Sequence, residues 1–233
     1  MLVVDNEVDR AYGYLPDALR ALLPAHEVRR PPAGDPLPGA EEVEALDAVV
    51  LTGSTAGVYE SDAHPWMDEE RAFVRRLVEA SVPTLGVCFG HQLANDALGG
   101  SVEHRGLTAR LVDVGFDDDP LFAGVSPVVP MVHGDHVVAT GEGMRAIARA
   151  DYYPALATRH RDAPLWTVQY HPEFTVDLRN RIAADFDWRE TDRSFEAATT
   201  VRTVGNFLRL AGIDGPAGGA RPQPDEPRGS GSN

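Results

Sequence analysis

The chain has 233 residues, which is enough for one sizeable α/β domain, and its formal net charge at pH 7 is −15. The 21 basic residues are all arginine and are outnumbered by 36 acidic residues, so the chain lacks the basic face that direct nucleic-acid binding requires. A single cysteine excludes an internal disulfide, no apolar run is long enough to span a bilayer, and the N-terminus shows no basic-then-apolar signal pattern. These features predict a cytoplasmic protein that binds neither nucleic acid nor membranes.

Short apolar runs alternate with amphipathic segments, a pattern typical of a mostly parallel sheet covered by helices on both faces. The pattern predicts strands at 1–5, 46–51 and 82–87, and helices at 15–23, 66–80 and 89–98. Four shorter strands then predict a small antiparallel addition, at 110–114, 128–132, 144–148 and 155–158. Helices predicted at 178–186 and 195–210 close the fold. We therefore expect an α/β fold in a single domain, residues 1–212, followed by a disordered Pro/Gly/Ser-rich tail at 213–233.

The only cysteine, Cys88, lies between the predicted strand 82–87 and the predicted helix 89–98. Gly86 and Gly90 flank it at a distance of two residues on either side. A nucleophile on a sharp strand-to-helix turn needs small neighbours because its backbone is strained. The helix N-terminus also favours the thiolate, which is the reactive form. The pattern indicates a nucleophilic cysteine, although a lone cysteine is more often an inert core residue.

A second motif, His171-Pro172-Glu173, follows the apolar run 166–170. A residue before proline favours extended backbone, so His171 is predicted to continue the strand. His171 and Glu173 would then point to the same face. A histidine that activates a thiol needs a third group to hold its orientation, and Glu173 is placed to supply it. Taken alone, the motif is more typical of a turn that ends a strand.

A third motif, Thr52-Gly53-Ser54, follows the strand predicted at 46–51. Loops of small residues expose backbone N–H groups, and such groups can stabilise an oxyanion. An ordinary strand-to-loop turn is the alternative.

In order and spacing, the three motifs resemble the class I, or triad-type, glutamine amidotransferase family over roughly residues 1–212. The resemblance implies a flavodoxin-like fold in which Cys88 attacks the side-chain amide of glutamine. His171 would act as the base, Glu173 would orient His171, and the backbone N–H groups of Gly53 and Phe89 would form the oxyanion hole. The products would be glutamate and ammonia, formed through a Cys thioester without any cofactor.

The resemblance extends to residues that bind the substrate. Gln92 matches a family position that contacts glutamine. The segment His133-Gly134-Asp135 is similar to one in the amidotransferase part of GMP synthetases and related stand-alone proteins, where it helps to hold the glutamine backbone. Many relatives have proline where this chain has Ser54. Outside the family context His133, Asp135 and His136 suggest a metal cluster, but they lack the spacing of a helical zinc motif, so no metal site is expected.

Three functions remain open at this stage. The first is a glutaminase that delivers ammonia to a separate synthetase subunit, because the chain contains no lysine and therefore no phosphate-binding Gly-Lys loop. The similarity of the segment His133-Gly134-Asp135 makes GMP synthetase the candidate. The second is a stand-alone hydrolase or transferase of γ-glutamyl compounds. The third is a non-catalytic regulatory member of the fold.

The acidic composition predicts salt adaptation, because molar salt screens the repulsion between acidic groups. A GC-rich genome explains arginine in place of lysine but not the excess of acidic residues. We expect the melting temperature to rise markedly from low to molar KCl, as measured by calorimetry. A midpoint that stays flat or falls would contradict this halophilic interpretation.

Overall fold

The computed structural model describes residues 1–213, and the tail predicted at 213–233 lies outside them from residue 214 onward. Within the described residues the ten strands are, in chain order, β1 (Leu2–Val4), β2 (Glu27–Arg29), β3 (Val49–Leu51), β4 (Thr84–Val87), β5 (Ser101–Asp113), β6 (Gly115–Phe116), β7 (Val128–Ala139), β8 (Met144–Ala150), β9 (Tyr153–His160) and β10 (Leu165–Val168). The α-helices of the same part are α1 (Tyr14–Arg20), α2 (Ala40–Val43), α3 (Trp66–Glu79), α4 (Phe89–Ala97), α5 (Arg179–Asp185) and α6 (Val201–Leu210).

The central sheet has eight strands in the order β2-β1-β3-β4-β10-β9-β8-β6. The first five strands in this order are parallel to one another, and the other three continue the sheet antiparallel. Strands β5 and β7 form a separate antiparallel pair, here called the arm. The predicted α/β fold with a mostly parallel sheet and an antiparallel addition is thus confirmed.

Alternating residues of the parallel strands pack into two different cores. Val3 and Val50 face the core to which α1 and α6 contribute Leu19 and Phe207. Leu2, Val4, Val49 and Leu51 face the opposite core, which contains Phe73 and Leu77 of α3 and Ala94 of α4. Since successive side chains of a strand point to opposite faces, burial of both sets shows that helices cover both faces of the sheet.

Several predicted boundaries of helices and strands are wrong because contacts with distant parts of the chain decide where these elements begin and end. The predicted helix 195–210 divides into a 3-10 turn, Phe195–Ala197, and α6, because Ala198 is extended and the Thr199 hydroxyl bonds to Ser126 and Gly124. The strand predicted at 110–114 is the end of the 13-residue strand β5. The polar first half of β5 shows no apolar alternation, so only its pairing with β7 defines it as a strand.

The parallel strands end at one edge of the sheet. Leu51 pairs with Gly86, and Val87 pairs with Val168, so the residues that follow β3, β4 and β10 emerge side by side. In open α/β sheets ligands bind at the carboxyl ends of the strands. This edge is therefore where the three sequence motifs meet.

A buried carboxyl group ties α3 to this edge. Oε1 of Glu70 accepts a hydrogen bond of 2.9 Å from Nδ2 of Asn6, whose backbone N–H in turn bonds to the Thr52 hydroxyl. Glu70 is fully buried, and burial raises its pKa to about 8 despite the opposing effects of Asn6 and Arg71. Oε2 of Glu70 and Oδ1 of Asn6 are buried without a partner among residues 1–213. A proton on Glu70 removes the charge that burial disfavours.

A neutral Glu70 makes the folded state less stable as the pH rises. The pKa of Glu70 is higher in the folded chain than in the unfolded chain, so its contribution is complete below about pH 4.5 and is lost as the pH rises through about 8. One such group changes the free energy of unfolding by at most about 1.4 kcal/mol per pH unit. We expect Glu70→Gln, which keeps the shape and the donor, to gain stability relative to the wild type from pH 5 to pH 8, as measured by denaturant unfolding.

The matched control is Glu69→Gln, on the exposed side of the same helix. A stability difference between Glu70→Gln and wild type that is the same at both pH values would show that Glu70 is ionised in the folded protein.

Candidate active site

Cys88 occupies a strained turn between β4 and α4. Its backbone has φ 52° and ψ −104°, a conformation that few non-glycine residues adopt. A Cβ on Gly86 would lie 2.5 Å from the Gly90 carbonyl oxygen, and a Cβ on Gly90 would lie 2.5 Å from the Leu51 carbonyl oxygen. The two glycines are therefore needed because β3, β4 and α4 approach closely. The chain forms the elbow that its sequence predicts.

His171 and Glu173 lie in a turn beyond the end of β10. The prediction that His171 continues the strand is wrong, because its N–H bonds to Pro130 of β7 and its carbonyl accepts from the Phe174 N–H, so the chain turns. The two side chains still meet, with 2.7 Å between His171 Nδ1 and Glu173 Oε1. The imidazole also stacks on the Phe174 ring, with 4.1 Å between centroids. Pairing and stacking together fix the ring.

The thiol and the imidazole share their surroundings. The Val132 carbonyl oxygen is 3.8 Å from Cys88 Sγ and 3.2 Å from His171 Nε2. A Cβ on Gly53 would lie 3.5 Å from both Cys88 Cβ and His171 Cε1. The structure thus brings the three sequence motifs together around the sulfur.

The electrostatic surroundings of His171 favour its charged form. Burial by itself would lower its pKa, but Glu173 and the Cys88 sulfur act against burial and hold the pKa well above its ordinary value of 6.5. A protonated His171 imidazole therefore lies beside the sulfur of Cys88.

Two backbone N–H groups beside the sulfur have no acceptor. Gly53 follows Thr52 at the end of β3, and Phe89 is the first residue of α4. Within residues 1–213 neither N–H donates a hydrogen bond. The first N–H groups of a helix have no intrahelical partner, so both groups are available to a negatively charged oxygen.

One cavity of about 190 Å³ collects these groups. Eight of the nine predicted site residues line it, namely Gly53, Cys88, Gln92, His133, Gly134, Asp135, His171 and Glu173. Phe89 contributes only its backbone to the prediction and does not line the cavity. Cys88 is 7% exposed, so the thiol opens into the cavity rather than being sealed in the core.

Comparison with known proteins gives the same family as the motifs. A family model described as glutamine amidotransferase class-I matches residues 24–187. The chain is 32% identical over 193 residues to the glutamine-hydrolysing GMP synthase of Thermosipho africanus, and 36% identical over 193 residues to that of Streptomyces coelicolor. The two alignments cover 75% of this chain and 36% and 35% of those proteins, so the chain spans about a third of the length of these curated relatives.

The chain belongs to the class I glutamine amidotransferase family. Solved structures agree on the fold. A glutamine amidotransferase from Thermotoga maritima has a TM-score of 0.65 at 16% identity, covering 90% of this chain and 96% of its own. A glutamine amidotransferase from Methylobacillus flagellatus has a TM-score of 0.69 at 16% identity, covering 96% of this chain and 98% of its own.

The amidotransferase loop around Ser54 is held by side chains. A carboxylate oxygen of Glu7 accepts from the Thr55 hydroxyl and, at 3.4 Å, from the Thr55 N–H. The Ser54 hydroxyl accepts from the Ala56 N–H at 3.1 Å. These bonds order the loop that follows Gly53, in which Ser54 stands at the position that is proline in many relatives.

The predicted substrate-binding residues surround the same cavity. Nε2 of Gln92 donates to Gln169 at 3.2 Å and to the Asp135 carbonyl at 3.4 Å. The Asp135 carboxylate accepts a hydrogen bond from the Tyr59 hydroxyl at 3.1 Å, and this bond joins the loop after β3 to the arm. The same carboxylate lies 2.8 Å from Nδ1 of His104 on β5. Hydrogen bonds thus hold the side chains of Gln92 and Asp135 at the cavity.

His133 is a neutral histidine with both ring nitrogens engaged. Burial lowers its pKa to about 3. Nδ1 lies 3.0 Å from the Asp135 carbonyl, which can only accept, so Nδ1 carries the proton and Nε2 accepts from the Tyr152 hydroxyl at 3.0 Å.

The part of the chain that the structure describes contains no cluster of three or more His, Cys, Asp or Glu side chains arranged for a metal. It also contains no helix long and apolar enough to cross a bilayer.

Gln169 is a site residue that the motif analysis missed. Its Nε2 donates to Cys88 Sγ at 3.4 Å, while its Oε1 accepts from Gln92 and from the Tyr153 hydroxyl, each at 3.2 Å. Gln169 is fully buried. A buried amide at the end of an otherwise apolar strand, two residues before His171, is the sequence signal that marks it.

Removal of the Gln169 amide should make the thiol less reactive. A hydrogen bond to a charged group contributes about 1.5–3 kcal/mol, so Gln169→Leu should slow alkylation of Cys88 by iodoacetamide about tenfold or more. Mass spectrometry reads this rate directly, since Cys88 is the only cysteine. Tyr170→Phe is the control, because it removes an equally buried bond to Thr203 that does not reach the sulfur. Equal slowing in both variants would reduce Gln169 to a general structural role.

Proposed function

We propose that this chain hydrolyses glutamine to glutamate and ammonia through a thioester on Cys88. The observation that supports it best is the strained Cys88 elbow in one cavity with the His171–Glu173 pair and Gly53, next to the unpaired N–H groups of Gly53 and Phe89. Together these groups support an acyl transfer through Cys88.

In the first half-reaction the proton of the Cys88 thiol is already on Nε2 of His171, and the sulfur attacks the γ-carbonyl carbon of glutamine as a thiolate. The oxygen of the tetrahedral intermediate becomes negative and accepts hydrogen bonds from the N–H groups of Gly53 and Phe89. As the C–N bond breaks, His171 returns the proton to the leaving nitrogen, and ammonia departs. Glu173 holds the Nδ1–H tautomer that keeps Nε2 directed at the reaction.

In the second half-reaction a water molecule gives a proton to His171 and attacks the thioester carbon. The C–S bond breaks, glutamate leaves and the Cys88 thiol is restored. The neutral His133, Gln92 and the Asp135 backbone line the cavity where the amino-acid end of the substrate would bind. The residues of this chain perform both steps without a cofactor.

We further propose that the ammonia passes to a synthetase on a partner chain. The similarity to glutamine-hydrolysing GMP synthases supports this part of the proposal and makes a GMP synthetase the first partner to test. The aligned region is about a third of those proteins, so the acceptor chemistry would be supplied by a region with no counterpart in the alignment.

Substitution of the three catalytic residues tests the mechanism. Cys88→Ala should abolish glutamate release, His171→Ala should lower kcat by about 10³-fold or more, and Glu173→Ala should cost less because orientation contributes less than the base itself. Glutamate is measured by a coupled assay in high salt, with circular dichroism to confirm folding and Glu69→Gln as the unaffected control. Glutamate release that survives in Cys88→Ala would eliminate Cys88 as the nucleophile.

The partner is tested by assaying glutamate release alone and with a candidate synthetase. Stimulation by the synthetase, together with its capture from a high-salt extract, supports ammonia delivery. Full glutaminase activity that no captured synthetase changes would contradict it.

A further inference from the structure

The cavity at Cys88 extends beyond the groups that the glutaminase reaction uses. Part of its lining is apolar and comes from three separate parts of the chain. Leu15, Pro16 and Leu19 belong to α1, Leu107 to the arm, and Phe186 follows α5. Here these five residues are called the apolar wall. Leu15, Pro16 and Leu19 are buried, and Phe186 is half-buried against Tyr12, with ring centroids 5.2 Å apart.

Hydrolysis of glutamine does not require the apolar wall. The leaving group of glutamine is a single small nitrogen, and the amino-acid end of glutamine is polar, so neither part of that substrate gains from contact with leucine and phenylalanine. Ligand cavities place apolar walls where the ligand is apolar. An apolar wall continuous with the nucleophile therefore indicates an apolar group attached to the reacting carbonyl.

Leu107 is placed on this wall by an irregularity in the arm. The register of β5 against β7 shifts between His104 and Thr108, and Gly106 has φ +91°. This bulge turns Leu107 out of the ladder and leaves it 53% exposed, yet it lines the same cavity as Cys88. A single exposed leucine is ordinary on a protein surface, whereas bulges beside active sites commonly redirect one side chain.

Charge limits what the apolar wall can accept. The carboxyl groups of Glu7, Asp135 and Glu173 line the cavity, and within residues 1–213 no arginine side chain does. A glutamyl substrate already brings one α-carboxylate. A second carboxylate, on the leaving group, would find no cation except His171, which already pairs with Glu173, and would face these acids, so a leaving amine without a carboxylate fits best.

We propose that the apolar wall is a leaving-group subsite for γ-glutamyl amides of alkylamines, an inference that rests on the thioester chemistry proposed above. The Cys88 sulfur forms a bond to the γ-carbonyl carbon, and the bond from that carbon to the amine nitrogen breaks. His171 delivers its proton to that nitrogen, and a neutral alkylamine leaves along the apolar wall. Water then cleaves the thioester, releasing glutamate and restoring the thiol. Alkylamine takes the place of ammonia, and no oxidant or co-reactant is needed.

A matched pair of substrates tests the subsite. γ-Glutamyl-isobutylamide and γ-glutamylvaline carry the same branched alkyl group, but only the second has a carboxylate on the leaving amine. We expect kcat/KM for the isobutylamide to exceed that for glutamine and that for γ-glutamylvaline by about tenfold, as apolar burial of one side chain predicts.

Two variants of the arm locate the effect. Leu107→Asp should lower the ratio of kcat/KM for the isobutylamide to kcat/KM for glutamine by about tenfold. Val138→Asp is the control, because Val138 is 40% exposed on the other strand of the arm and does not line this cavity. The same fall in both variants, or in neither, would overturn the assignment of Leu107.

A binding measurement separates this inference from the glutaminase itself. Calorimetry on Cys88→Ala measures affinity without turnover, and the isobutylamide should bind about tenfold more tightly than glutamine. Equal affinities, with Cys88-dependent glutamine hydrolysis intact in the wild type, would overturn the subsite but not the glutaminase. The apolar wall would then be a surface that a docked partner covers. Failure of the wild type to hydrolyse any γ-glutamyl compound, with or without the synthetase, would overturn the proposed function.

Discussion

The site depends on how closely a helix and two strands approach one another. Because Gly86 and Gly90 have no side chains, α4 can begin directly above β4 and against the backbone of Leu51. This approach forces Cys88 into φ +52°, which projects its sulfur over the end of the sheet and leaves the first N–H of α4 free. A larger residue at either glycine would require the strand or the helix to move, and the thiol, the unpaired N–H groups and the imidazole would separate together.

Around that elbow, polar groups are buried only where they bond to one another. Gln169 bonds to the sulfur, to Gln92 and to Tyr153, and the Tyr153 hydroxyl accepts from the Val137 N–H at 2.8 Å. Such a network is strong because every donor meets an acceptor in a poorly polarisable interior. It also connects the sulfur to the arm, so the pair β5–β7 influences the site without supplying the nucleophile.

The buried ionisable groups differ in charge at pH 7 according to their neighbours. His171 is held protonated by Glu173 and Cys88, whereas His133 and Glu70 are buried without an adequate counter-charge and are neutral at pH 7. The two histidines thus differ in charge, since His171 is protonated and His133 is neutral with both ring nitrogens hydrogen-bonded. Burial next to an opposite charge decides the difference.

The sequence by itself determined the α/β fold, the position of the elbow at Cys88 and the three segments that meet there, because strand-to-helix alternation and glycine spacing are local properties. It did not determine that His171 leaves the strand, since a hydrogen bond to Pro130 from a distant strand makes that turn. It also did not show the long polar half of β5, the contact of Gln169 with the sulfur, or the apolar wall. Each of these joins residues far apart in the chain, and only tertiary packing brings such residues within contact distance.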